Sequence, residues 1–142
     1  MHLTRFQKIT LGISGLTAVA IGTLITLTPH AFYASYGIAL GQDPNLLSEL
    51  RAPGAGLAIF GALMLSGVFR ASLAQIAAAV ALTVYLAFPF GRIVGIAMDG
   101  MPSGSVISAL VFEVVIAVLL LGAFKPTGTT GSNRERFVDL AG

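Results

Sequence analysis

A chain of 142 residues is within the size of one domain, so a second folded unit is not expected. Hydrophobic residues make up 56% and charged residues 10%, whereas soluble domains carry roughly 25% charged residues, which excludes an ordinary soluble fold and points to lipid as the solvent. The basic residues are scattered instead of patched, against a nucleic-acid partner, and the absence of cysteine excludes a disulfide, a thiolate nucleophile and Cys-based metal or haem attachment.

Four runs are long and apolar enough to be transmembrane helices, since crossing the hydrocarbon takes about 20 residues. The first, 9–28, lies between Lys8 and the pair Pro29-His30; the second, 52–69, lies between Arg51 and Arg70. The third, 71–91, stops at Arg92, and the fourth, 103–124, is interrupted only by Glu113 and closes at Lys125-Pro126. Each run is continuously apolar, without the alternation of a barrel strand, so helices are expected. The first run resembles a signal peptide in its flanks, but its apolar part exceeds a secretory core, and Phe32 is bulky at a cleavage site ending at Ala34. It is read as a retained anchor. The fold expected is an all-α integral membrane four-helix bundle over 1–126, followed by a polar cytoplasmic tail, 127–142.

Orientation follows from the lysines and arginines. Arg5, Lys8, Arg70, Lys125, Arg134 and Arg136 fall on one side, against Arg51 and Arg92 on the other. The richer side is assigned to the cytoplasm, with both termini there and the chain multi-pass in the bacterial inner (plasma) membrane.

The long connection between the first two spans carries a helix start at Asp43-Pro44, because Asp caps free N–H groups and Pro fits the first helical position. The second helix is expected to begin there, ahead of its apolar run. Pro53 then falls inside it and removes the bond to the Glu49 carbonyl, while Pro89 does the same to Tyr85 in the third helix, so kinks are expected at both. Small residues form stripes at Gly54, Ala58, Gly61 and Ala62, and at Ala74, Ala77, Ala78 and Ala81. In lipid such stripes let helices approach closely, either within one chain or in a homodimer. Thr10, Ser14 and Thr17 are positioned to bond their own backbone carbonyls.

Charges inside a membrane are costly, on the order of 3 kcal/mol each on insertion scales, and so are paired or functional. Glu113 is the sharpest case, about 15 Å from the outer end of its helix at 1.5 Å per residue. Arg92 ends the third span, Asp99 follows on the same face if the helix continues, with Gly95 between them leaving room for a helix or ligand. Glu49 and Arg51 lie at the outer end of the second helix. The five charges Glu49, Arg51, Arg92, Asp99 and Glu113 are expected to converge in the outer half as one network, because the planar guanidinium matches carboxylates. Such a network is either a structural clasp or a polar pocket in which an arginine holds an anionic head group and Glu113 exchanges protons. The Gly-rich stretch in the second span is no phosphate loop, and no catalytic, cofactor or metal motif is present; His2 and His30 are isolated.

The string Ser48-Glu49-Leu50-Arg51-Ala52-Pro53-Gly54-Ala55-Gly56, with Gly91-Arg92-Ile93-Val94-Gly95, Asp99-Gly100 and Glu113, resembles the small bacterial four-helix membrane proteins grouped as domain of unknown function 4345. The likeness covers roughly 45–124 and departs at Pro53 and Ala55, where more glycine is expected. It implies the fold and the importance of the five charges, and transfers no chemistry. The function expected is binding, of a lipid-like ligand or of a membrane protein partner, through the charged cluster. The alternative is a proton-coupled small transporter working as a dimer through Glu113; an enzyme ranks behind both.

Overall fold

The computed structural model describes residues 2–125, so the expected tail lies outside the described residues. The elements are α1 (Arg5–Leu27), α2 (Pro29–Ala34), α3 (Pro44–Phe69), a single 3-10 turn (Ala71–Leu73), α4 (Ala74–Asp99) and α5 (Gly104–Ala123). Four of the helices are long and apolar enough to cross a membrane.

Local chemistry sets the helix ends. At the start of α1 the Thr4 hydroxyl accepts from the Gln7 amide at 3.2 Å, and the Gln7 side chain accepts from the Thr4 amide at 2.9 Å, a reciprocal cap of two otherwise free N–H groups. Gln7 also donates from Nε2 to the Ala123 carbonyl at 2.8 Å, tying the start of α1 to the end of α5. α3 starts at the Asp43-Pro44 pair, where the Asp43 carboxylate accepts from the Asn45 amide at 3.0 Å. α3 continues through Pro53, and α4 continues through Pro89 and past Arg92 to Asp99. Gly100 then ends α4 at φ +95°, a backbone conformation that glycine adopts without steric penalty.

α1 and α3 share the most extensive interface; α3 also packs on α4, α4 on α5, and α5 returns to α1. The α1–α3 contact is built from glycine on both sides. A Cβ placed on Gly22 would lie 2.6 Å from the Gly54 carbonyl oxygen and against the Ala58 backbone, and one on Gly61 would lie 2.7 Å from the Gly15 carbonyl oxygen. In lipid, where apolar side chains gain little by leaving the solvent, backbone approach of this kind is what holds helices together. The small residues of α3 at 54, 58 and 61 thus serve packing within the chain, while Ala62 is exposed. On α4, Ala74, Ala77, Ala78 and Ala81 are all buried, with Ala77 against Gly67 of α3. Of the three hydroxyls noted on α1, Ser14 bonds the Thr10 carbonyl, at 2.7 Å.

The packed core is not evenly spread. Leu11, Met64 and Leu120 are fully buried, and every buried residue of α5 (Ile116, Ala117, Leu120) falls in its second half. The first half of α5, from Ser105 to Phe112, lines a cavity instead. α5 is therefore packed where it finishes, beside the start of α1, and borders a cavity towards the end where α2 sits, although α1 and α3 stay in close contact there through Gly22 and Gly54.

A cavity with one ion pair in its wall

α2 turns back after Thr28 because Pro29 suits a first helical position, where its missing N–H is not needed. The turn stacks three aromatic rings: Phe32 meets Tyr33 edge-on with centroids 5.3 Å apart and Tyr36 at 5.2 Å. His30 reaches the Gly41 carbonyl at 3.1 Å, and the Tyr36 carbonyl accepts from the Ser103 hydroxyl at 3.2 Å, so the segment is fastened both to its own loop and to the start of α5.

Beneath it lies a cavity of about 740 Å³. Its apolar wall comes from Ile21 and Ile25 of α1, Leu57 of α3, Val84 and Phe88 of α4, and Val106, Ala109 and Phe112 of α5. Tyr33 and Tyr36 face it from above, Thr17 and Tyr85 from the packed side, and Ser105 and Ser108 from α5. The Tyr85 hydroxyl donates to the Ser14 carbonyl at 2.7 Å, closing the floor against α1. Burial pushes the Tyr33 hydroxyl above its ordinary pKa, the positive Arg92 acting in the opposite sense.

Two charged residues reach this cavity, Arg92 and Glu113, and they hold each other. Arg92 donates from Nε to Oε2 of Glu113 at 2.9 Å and from Nη2 to Oε1 at 3.0 Å. This side-on, two-bond geometry is the strongest an arginine makes with a carboxylate. The side chains remain 28% and 14% exposed and both residues line the cavity, so the pair forms part of its wall; Arg92 also borders an open groove with Ala87, Phe88 and Gly91. Glu113 stands nine residues into α5, about 14 Å below its start at 1.5 Å per residue.

The other three expected charges do not join them. Arg51 points to α1, donating from Nη1 to the Thr26 carbonyl. Thr26 belongs to the last turn of α1, whose carbonyls lack helical partners and carry the negative end of the helix dipole, so a guanidinium there acts as a cap. Glu49, two residues away and hence on another face of α3, is exposed, and Asp99 is exposed at the final residue of α4, about 10 Å along the axis from Arg92. Among the described residues Arg92–Glu113 is the one salt bridge, and the single network expected of five charges is corrected to this pair. Gly95 has open space around it and receives no neighbouring helix. The aromatic turn and the cavity-facing tyrosines are not among the site residues expected above; their signal in the sequence is the cluster Phe32-Tyr33-Tyr36 beside a span end, where amphipathic rings concentrate.

No curated protein and no solved structure matches the chain. A family model does, over residues 6–124, which takes in the first helix as well as the charged segments and so reaches further than the resemblance read from residues 45–124. By that match the chain belongs to the family described as Domain of unknown function (DUF4345).

Proposed function

We propose that this is a multi-pass protein of a bacterial inner membrane, a four-helix bundle with both termini cytoplasmic, that binds a lipid-like amphiphile in the cavity beside Arg92 and Glu113. The cavity carries the reading. At about 740 Å³ it falls within the roughly 300–1,000 Å³ of small-molecule sites, and a mainly apolar wall with a few convergent polar groups is their usual make-up. The ion pair offers a polar group beside which a head group could sit, and the apolar wall suits a chain or ring. The outward faces, with Ile9, Leu16, Ile59, Phe69, Ile93 and Val118 exposed, suit contact with lipid. The orientation rests on Arg5, Lys8, Arg70 and Lys125 at one end against Arg51 and Arg92 towards the other.

The dimeric proton-coupled transporter is the weaker reading. Both Glu113 oxygens are engaged by Arg92, so each transport cycle would have to break two charge-assisted hydrogen bonds. Binding is tested by purifying the chain from membranes in mild detergent and quantifying co-purifying amphiphiles by native mass spectrometry. An A109W variant, which places a large ring in the cavity, should lose the bound species by at least about tenfold, the discrimination of a single well-placed contact. Equal retention by a monodisperse A109W protein would remove the cavity as the binding site.

A further inference from the structure

The charge state of the cavity wall bears on what the ligand is. The side-on pair cancels charge locally, and no other charged side chain lines the cavity among the described residues. An anionic head group that took the place of Glu113 would draw Arg92 away and leave the Glu113 carboxylate facing an apolar space, and one held at Nη1 beside the intact pair would set a second negative charge against a guanidinium already neutralised. A cationic head group would draw Glu113 away and strand Arg92. Either exchange separates a well-formed pair in a poorly solvated site, which is strongly unfavourable. An uncharged head needs neither: with Nε and Nη2 committed to Glu113, Nη1 of Arg92 has no partner among the described residues and is a donor for a ligand oxygen. Tyr33 and Tyr36 lie within electrostatic reach of Arg92 and, with Ser105 further along α5, add neutral polar groups to the cavity lining.

Resting on the binding reading above, we infer that the ligand class is an uncharged amphiphile whose head offers a hydrogen-bond acceptor, of the long-chain ester or carbonyl type, and not a charged lipid. Arg92 and Glu113 are then specificity residues: together they admit a neutral head, and each one present without the other reverses the preference towards the opposite charge.

The chain supplies its own reporter for this. It has three tyrosines and no tryptophan, and Tyr33, Tyr36 and Tyr85 all line the cavity, so tyrosine emission reports on the site. The full chain in vesicles of zwitterionic phosphatidylcholine is titrated with one brominated C16 tail carrying, in turn, a monoacylglycerol, a sulfate or a trimethylammonium head. The monoacylglycerol probe should quench saturably, at about tenfold lower mole fraction than either charged probe. Glu113→Gln should turn the preference to the sulfate probe, and Arg92→Gln to the trimethylammonium probe. A wild-type preference for either charged head, or equal saturable quenching by all three probes, overturns the inference and leaves the binding site standing. Absence of saturable quenching by all three probes, with helical circular dichroism intact, overturns the binding reading itself. Should the variants fail to fold, the ranking of the three probes on the wild-type chain still decides the matter.

Discussion

An arginine and a carboxylate that meet through two parallel hydrogen bonds are worth most as a pair and least apart. Removing one partner leaves a charge without compensation in a site poor in water, whereas removing both leaves an apolar wall. Arg92→Leu or Glu113→Leu alone should therefore destabilise the fold by about 3 kcal/mol, and the double change R92L/E113L should recover most of that loss. Unfolding in mixed micelles at increasing dodecyl sulfate measures both; a double variant as unstable as the sum of the singles would show that the two side chains are not energetically coupled. Glu113 was readable in advance because a lone carboxylate inside an apolar run needs a partner, and Arg92 because it closes a span. The destination of Arg51 was not readable: its partner is the Thr26 backbone carbonyl, which every residue type presents alike. Nor did sequence spacing tell that Asp99 would be left exposed at a helix terminus, since that depends on Gly100 ending α4.

The contact between α1 and α3 depends on positions where even a methyl group has no room. At Gly22 all the nearest obstructing atoms, and at Gly61 the two nearest, belong to the opposite backbone and have no rotamer by which to move aside. Gly22→Ala should force the two helices apart and cost about 1–3 kcal/mol, the range for overpacked sites. Gly12, on the same helix but with nothing within 4 Å of an added Cβ, is the control. Gly12→Ala should be neutral or stabilising by up to about 1 kcal/mol through higher helix propensity. The same micellar unfolding curves test the contrast, and equal effects at the two sites would contradict the packing described. The stripe on α3 showed in the sequence because glycine and alanine recur at three- and four-residue spacing. Its partners Gly15 and Gly22 on α1 became meaningful only once the two helices were paired. α2 escaped notice for another reason: at six residues it is too short for a periodic signal, and Pro29 alone marks its start.

At the scale of the whole molecule the two ends differ in kind. One is close-packed and carries Arg5, Lys8, Arg70 and Lys125; the other is hollow, roofed by an aromatic turn, and has fewer cations. With the proposed orientation, the loop around Gln42 faces outward and the turn around Ser72 faces the cytoplasm, and both residues are exposed. The chain contains no cysteine, so single-cysteine variants can be read without background. In intact cells a membrane-impermeant maleimide should label Q42C and leave S72C untouched until the cells are lysed; the reverse pattern would invert the topology. The number and type of the long helices was legible because hydrophobic runs of this length have few other uses. The cavity was not legible, because empty space is a property of how helices diverge, and no residue encodes it alone.

The hydrogen bond from the Gln7 side chain to the Ala123 carbonyl carries a consequence beyond capping. It brings the first turn of α1 and the last turn of α5 side by side, so whatever is joined before the one and after the other emerges at neighbouring points. Two segments tethered there share an effective concentration on the order of millimolar. Even a weak mutual affinity between them, or a shared affinity for a third molecule, would be met as though the two were one bidentate reagent.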